Sequence, residues 1–226
     1  MKLGVLCSGG KDSLFAGYLA MQKEEVACLI SVSSRNEESY MFHTPNVHLV
    51  GLQAEAAGLP LILVETEGQE EAELADLKRA ICQAVERHHI EGVVSGAILS
   101  VYQATRVQRI CRDLDLWCFN PLWYTDQESY LHRLIGAGFK VLITGVYSAP
   151  FDETWPGRLL DSGVLDDLKK FAGKYRISLT GEGGEYETLV IDAPFFNKKI
   201  VIEEATTEYC NNRCVFRIRK ARLEEK

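Results

Sequence analysis

Two short stretches of this chain carry residues whose types and spacing point to chemistry. The first, Cys7-Ser-Gly-Gly-Lys-Asp-Ser13, follows a short apolar run and leads into a helical pattern. Gly9 and Gly10 let the backbone turn its N–H groups toward one point. Ser8 and Ser13 add hydroxyl donors, and the helix start adds partial positive charge. A loop of this kind suits a polyphosphate. It is not a Walker loop, because G-x-x-x-x-G-K-[ST] is absent. The second stretch, Gly181-Glu-Gly-Gly-Glu-Tyr-Glu-Thr188, presses Glu182, Glu185 and Glu187 around Gly183 and Gly184, just ahead of Leu189-Val190-Ile191. Like charges this close push one another's pKa values up, which suits a general base. On residue chemistry alone, a glycine turn carrying solvated glutamates is an equal reading.

Alternating strands and helices must position these stretches. Strand-like runs are expected at Leu3–Leu6, Val26–Val32, Pro60–Val64 and Gly92–Ser95. Helical patterns are expected at Leu14–Gln22, Val47–Ala57 (closed by Gly58), Glu70–His88 and Ser100–Leu114. Steady alternation predicts a parallel sheet with helices on both faces, and ligands bind beyond the carboxyl ends of its strands. That rim holds Cys7–Ser13, Ser31–Ser34 and Ser95–Ser100. After about residue 120 the pattern changes. Helices are expected at Tyr130–Ala137 and Gly163–Ala172, with strands at Lys140–Val146, Thr188–Asp192 and Lys199–Glu203. Arg213–Ala221 is expected as an edge strand. The chain therefore divides into residues 1–125, which carry the polyphosphate-type loop, and 126–226, a smaller α+β subdomain.

Composition narrows the function. At 226 residues, with 46% hydrophobic and 25% charged, the chain has ordinary globular composition and length for a sizeable core. No apolar run approaches the roughly 20 residues that span a membrane, and MKLGVLCSGG reaches glycine too early for a signal peptide. A net charge of −7 argues against direct nucleic-acid binding. Seven cysteines are scattered without a C-x-x-C pair, as expected of reduced thiols in a cytoplasmic protein. Cys210 and Cys214 are the nearest pair.

Further candidates line the expected rim. Ser100 is placed to cap its helix. Gln103 and Arg106, three residues apart, share a face on which Arg106 meets a phosphate or forms a surface ion pair. His88-His89 reads as a partner for a helix C-terminus and His43 as a loop residue without a catalytic role. Arg213, Arg217 and Arg219 read first as edge protection and second as a contact for a partner.

The S-G-G-x-D-S pattern resembles the PP-loop ATP pyrophosphatases at every fixed position. The resemblance implies a HUP-type (adenine nucleotide alpha-hydrolase-like) fold and cleavage of ATP to AMP and pyrophosphate. The loop would grip the outer phosphates, and Asp12 would help hold Mg²⁺. Sulfur-transfer members carry cysteine pairs and amidotransferase members carry a glutaminase. Neither is evident here, which leaves free ammonium as the nitrogen source. Met41-FHTPN-Val47 with the following LQAEAAGLPL, Gly96-AILSVYQATR with NPLW at 120–123, and the 181–188 stretch resemble the diphthine–ammonia ligase family over residues 1 to about 205. Trp155-Pro-Gly-Arg158 departs from that pattern at Pro156.

This resemblance implies an ATP-dependent ligase that amidates the diphthine carboxylate of elongation factor 2. Adenine would lie near Ser31, Val32 and Ser33. Gly96, Gln103 and Arg106 would join Ser8–Ser13, including Lys11, around the nucleotide. Asp12 and Arg106 would be catalytic with Glu182, Glu185 and Glu187. Gly183, Gly184, Tyr186 and Thr188 would complete the ammonium or diphthine side. A homodimer is compatible with the sequence. Another carboxylate or a tRNA base as acceptor, and a nucleotide-binding regulator without turnover, are the alternatives.

Overall fold

The computed structural model describes residues 1–34, 46–68, 70–210 and 213–226, apart from the side chains of 70–72 and 210. His43, the interior of the Ser34–Asn46 loop (35–45), most of the Met41–Val47 stretch and the Cys210 thiol therefore lie outside the described residues.

Five short strands form a parallel sheet: β1 (Lys2–Leu6), β2 (Glu25–Ser34), β3 (Leu61–Thr66), β4 (Gly92–Val94) and β5 (Trp117–Phe119). Their order is β3-β2-β1-β4-β5, the HUP-type arrangement. The chain runs outward from β1 to β3, then crosses to β4 on the other side of β1. A ligand crevice is expected where the order reverses. β5 has no counterpart in the sequence reading. It is three residues long and half-exposed, too short for a hydrophobic period to show.

Helices cover both faces. On one, α3 (Glu70–His88) and α4 (Val101–Asp113) lay Leu77, Ile81, Val107 and Ile110 over Ile30, Val32, Ile62 and Val93. Ser100 caps α4, accepting from Gln103 N at 3.3 Å. On the other face lie α1 (Lys11–Met21) and α2 (Val50–Ala57), the latter closed by Gly58 at φ +66°. A Cβ there is strained, so glycine is the residue that ends this helix.

The second sheet is antiparallel: β6 (Lys140–Val146), β7 (Tyr186–Asp192), β8 (Lys198–Cys210) and β9 (Arg213–Glu225), in the order β7-β6-β9-β8. Helices α5 (Gln127–Gly136) and α6 (Ser162–Tyr175) accompany it. The two sheets share one core, in which Leu14, Phe15 and Val50 pack with Tyr130, Val141, Val164, Tyr186 and Val190. The basic C-terminal run is not an edge strand. β9 lies between β6 and β8, and β8 is at the margin. Its charges are accommodated by cross-strand pairing: Arg217 and Arg219 reach Glu208 at 3.0 and 2.7 Å, and Lys220 and Arg222 reach Glu203 at 2.8 and 3.1 Å. Opposite charges across a strand pair let basic residues occupy an interior strand.

One buried side chain ties the two sheets together. Gln53 of α2, 0% exposed, donates from Nε2 to Gly9 O at 2.9 Å and to Val190 O at 2.7 Å. Gln53→Met keeps the volume and deletes both bonds in a site sealed from water. The expected cost is about 2 kcal/mol, a fall in thermal midpoint of roughly 4–8 °C for a chain of this length. A midpoint unchanged in calorimetry would remove this tie from the account of stability.

Candidate active site

The phosphate-type loop sits between β1 and α1 with its backbone fixed from the side. Gly9 is at φ +85°, and an added Cβ would lie 2.9 Å from Gln53 Oε1. Val190 N donates to Gly9 O at 3.0 Å, and Lys11 N donates to Thr188 Oγ1 at 3.2 Å. The loop thus docks along the free margin of β7. Ser8 and Ser13 place their hydroxyls 3.3 Å apart, and Gly10 begins α1 without a side-chain cap. Across the loop, Gly96 presses on the first turn of α1. A Cβ there would lie 2.6 Å from Ser13 N and 2.7 Å from Asp12 C, so glycine is required by close approach.

Lys11 is 2% exposed and does not reach outward as a free cation. Its Nζ donates to Thr180 O at 2.6 Å and to Asp12 Oδ2 at 3.0 Å, and it lies 5.2 Å from the Tyr186 ring centroid. The other Asp12 oxygen accepts from the buried Tyr130 hydroxyl at 2.8 Å. Asp12 is nevertheless 31% exposed at the side chain and lines the cavity. Each of its oxygens keeps a lone pair for a further partner.

The cavity above this loop has a volume of about 510 Å³. One wall is apolar, from Leu6, Ile30, Val32, Val47, Leu77 and Val107; the floor is Ser8 and Gly10–Ser13 with Ser95–Ala97. The remaining wall is Thr180–Gly184 with Tyr186, Glu187 and Thr188. Volume, an apolar wall and convergent N–H and hydroxyl donors are the features of a site for a ligand the size of a nucleotide.

The three glutamates of this wall have different surroundings. Glu182 Oε2 accepts from Leu99 N at 3.4 Å; burial, and secondly the Asp12 charge, push its carboxyl up. Glu187 is half-buried as a residue, but its Oε2 is sealed from solvent and has no hydrogen-bond partner. Burial pushes its carboxyl up to about 8, against the pull of Lys11. Glu185 does not line the cavity. Its Oε1 accepts from Ser178 N at 2.7 Å, which fastens the turn from behind. Glu187 is the only one of the three within β7, where it lies opposite Gly145, and the Tyr147 side chain fills the space over that glycine.

The structure therefore brings Ser8, Gly10, Lys11, Asp12, Ser13, Val32, Gly96, Gln103, Glu182, Gly183, Gly184, Tyr186, Glu187 and Thr188 around one cavity. Gly9 supports it from below through its carbonyl. Ser31 and Ser33 are not part of the lining. Ile30 and Val32 of β2 line it instead, and Ser31 is buried with its Oγ lacking a hydrogen-bond partner. Arg106 also stands outside the lining. Its guanidinium carbon lies 3.3 Å from the Tyr102 ring centroid, and Nη1 donates to Tyr102 O at 3.4 Å. Sequence reasoning missed Tyr130, Gln53, Thr180 and most of the apolar wall. A period of two along β2 marks Ile30 with Val32. Nothing local marks Tyr130 or Gln53, whose partners are distant in sequence.

Glu187 also links stability to pH. Its folded-state value, about 8, exceeds the ordinary 4.5. Its contribution is fully present below 4.5 and lost as pH rises through 8. The thermal midpoint of Glu187→Gln should therefore gain on that of the wild type as pH rises between these values, and the difference should level off above. Midpoint curves that stay parallel from pH 4.5 to 9 would contradict the buried, proton-holding carboxyl.

Comparison with known proteins fits this geometry. Residues 1–117 match the family model described as diphthamide synthase N-terminal domain, and residues 126–223 match its C-terminal domain. A diphthine–ammonia ligase of Mus musculus is 33% identical over 230 residues, covering 91% of this chain and 84% of the relative. The Schizosaccharomyces pombe protein of that name is 34% identical, covering 93% of this chain and 38% of its own length. Among solved structures, a predicted subunit of a tRNA methyltransferase from Methanocaldococcus jannaschii covers 86% of this chain and 98% of its own. It is 14% identical, with a TM-score of 0.43. With both models matched across most of its length, this chain belongs to the diphthamide synthase family.

Proposed function

We propose that this chain is a diphthine–ammonia ligase, which uses ATP to amidate the diphthine carboxylate of elongation factor 2 with ammonia. One observation carries the reading: a polyphosphate-type loop and two carboxyls with raised pKa values share a single cavity. Bound ATP supplies a phosphate on which a carboxylate becomes open to attack by an amine, leaving AMP and pyrophosphate. In this reading residues 1–125 hold the nucleotide and 126–226 supply the amine side.

The backbone N–H groups and hydroxyls of Ser8–Ser13 would hold the outer phosphates, and Ile30, Val32, Leu77 and Val107 would pack the base. Asp12 is suited to Mg²⁺, which is commonly bound through one or two carboxylates together with substrate phosphates. Among the described residues no group of three or more His, Cys, Asp and Glu forms a separate metal site. Lys11 neutralises Asp12 and carries the Thr180–Tyr186 turn, so its role is support. Glu182 and Glu187 face the space beside the phosphate loop. There they would attract the ammonium cation, and Glu187 would take its proton. Glu185 holds the turn through Ser178. Among the described residues no helix is long and apolar enough to cross a membrane.

Incubation with ATP, ammonium chloride and diphthine-bearing elongation factor 2 tests the reading. AMP, pyrophosphate and the one-unit mass loss of amidation are expected; ADP with phosphate as the sole products would refute it. Glu187→Gln should lower amide formation about a hundredfold or more, the usual cost of a lost base, with ATP affinity changed less than about threefold. Glu185→Gln should lower amidation far less. At fixed free ammonia, the wild-type rate should rise through about pH 8, where Glu187 loses its proton, and the Glu187→Gln rate should not. The reverse ranking of the two variants would move the base to Glu185.

A further inference from the structure

Residues 96–106 are only partly used by the cavity, and 120–124 are not part of its lining. Gly96, Ala97, Ser100 and Gln103 line it, whereas Leu99, Val101 and Tyr124 do not. These remaining residues are exposed on two turns that lie side by side. Tyr124 N donates to Ile98 O at 2.9 Å, which joins the turn before α4 to the turn before α5. Leu99, Val101 and Tyr124 are 39%, 57% and 72% exposed, and Trp123 meets Tyr124 edge-on with centroids 5.4 Å apart. The place is the cavity mouth: Leu99 N holds Glu182, and the neighbouring Gly183 and Gly184 are exposed lining residues.

Tyr124 is also held at φ +55°, a left-handed conformation that is strained for an aromatic residue. That conformation leaves the ring mostly in solvent, with Trp123 at its edge. Exposed apolar residues clustered beside a site mark an interaction surface.

We propose that Leu99, Val101, Trp123 and Tyr124 form a docking surface for the acceptor protein's polypeptide on either side of the residue to be amidated. This rests on the proposed function, in which the reacting carboxylate belongs to a side chain of another protein. Such a side chain enters the cavity only if its own backbone lies across the mouth, so the surface there is covered during reaction. Glu182 and the exposed Asp126 border the patch and complement a segment bearing Lys or Arg next to the acceptor.

The test is the double variant Val101→Ser, Tyr124→Asn, in which Asn keeps the left-handed turn while removing the ring. Its thermal midpoint and its ATP affinity by calorimetry should match the wild type. The KM for the intact acceptor protein should rise at least tenfold with kcat little changed, and calorimetric affinity for that protein should fall in parallel. Wild-type KM in the double variant, with wild-type amidation intact, overturns the docking surface and leaves the function standing. Loss of ATP affinity instead assigns the patch to the nucleotide site and overturns it too. A dimeric wild type that the variant converts to monomer assigns the surface to a second copy of this chain, with the same consequence. A wild type that neither binds nor amidates the acceptor protein refutes the function and the docking surface together.

Discussion

The structure depends on a side-on bond. Gly9 O accepts from Val190 N and from Gln53 Nε2, so the phosphate-type loop is built onto the margin of a strand from the other half of the chain. A glycine loop left to itself has many conformations, and a phosphate site needs one. Edge hydrogen bonds from β7, the Thr188 hydroxyl and the amide of a buried glutamine select it. The same contacts close the margin of β7 that would otherwise expose unpaired N–H and C=O groups. Loop order and sheet protection thus come from one set of bonds.

Lys11 extends this logic into the acidic wall. A buried ammonium must be paired or fully hydrogen-bonded, and Lys11 meets that requirement by reaching Thr180 O and Asp12 together. The bond to Thr180 sets where the following turn begins, and the bond to Asp12 fixes a carboxylate at the cavity floor. Tyr130 fixes its other oxygen from α5. The lysine of the phosphate-type loop is therefore the joint between that loop and the acidic wall.

Environment then separates three glutamates that the sequence presents as equals. Glu185 is held by a backbone N–H behind the turn through one oxygen, with the other buried away from the cavity. Glu182 is held by Leu99 N and feels the charge of Asp12. Glu187, opposite Gly145 and sealed at one oxygen, is left to hold a proton near neutral pH. Catalytic carboxyls are commonly told apart in this way, by burial and neighbours rather than by residue type.

The sequence alone determined what is local or periodic: the glycine-serine loop between strand and helix, the alternation that gives a parallel sheet, the long helix at Glu70–His88 and the helix stop at Gly58. These follow from backbone sterics and hydrophobic period, which act over a few residues. Only the tertiary structure decided that Ser31 faces away from the cavity, that Glu185 folds back onto Ser178, that β9 is interior, and that Gln53, Tyr130 and Thr180 build the site. Each of those outcomes depends on a partner far away along the chain: Tyr130 on Asp12, Gln53 on Gly9 and Val190, Thr180 on Lys11. No period or propensity encodes such a pairing, because it exists only once two sheets have packed around a common core.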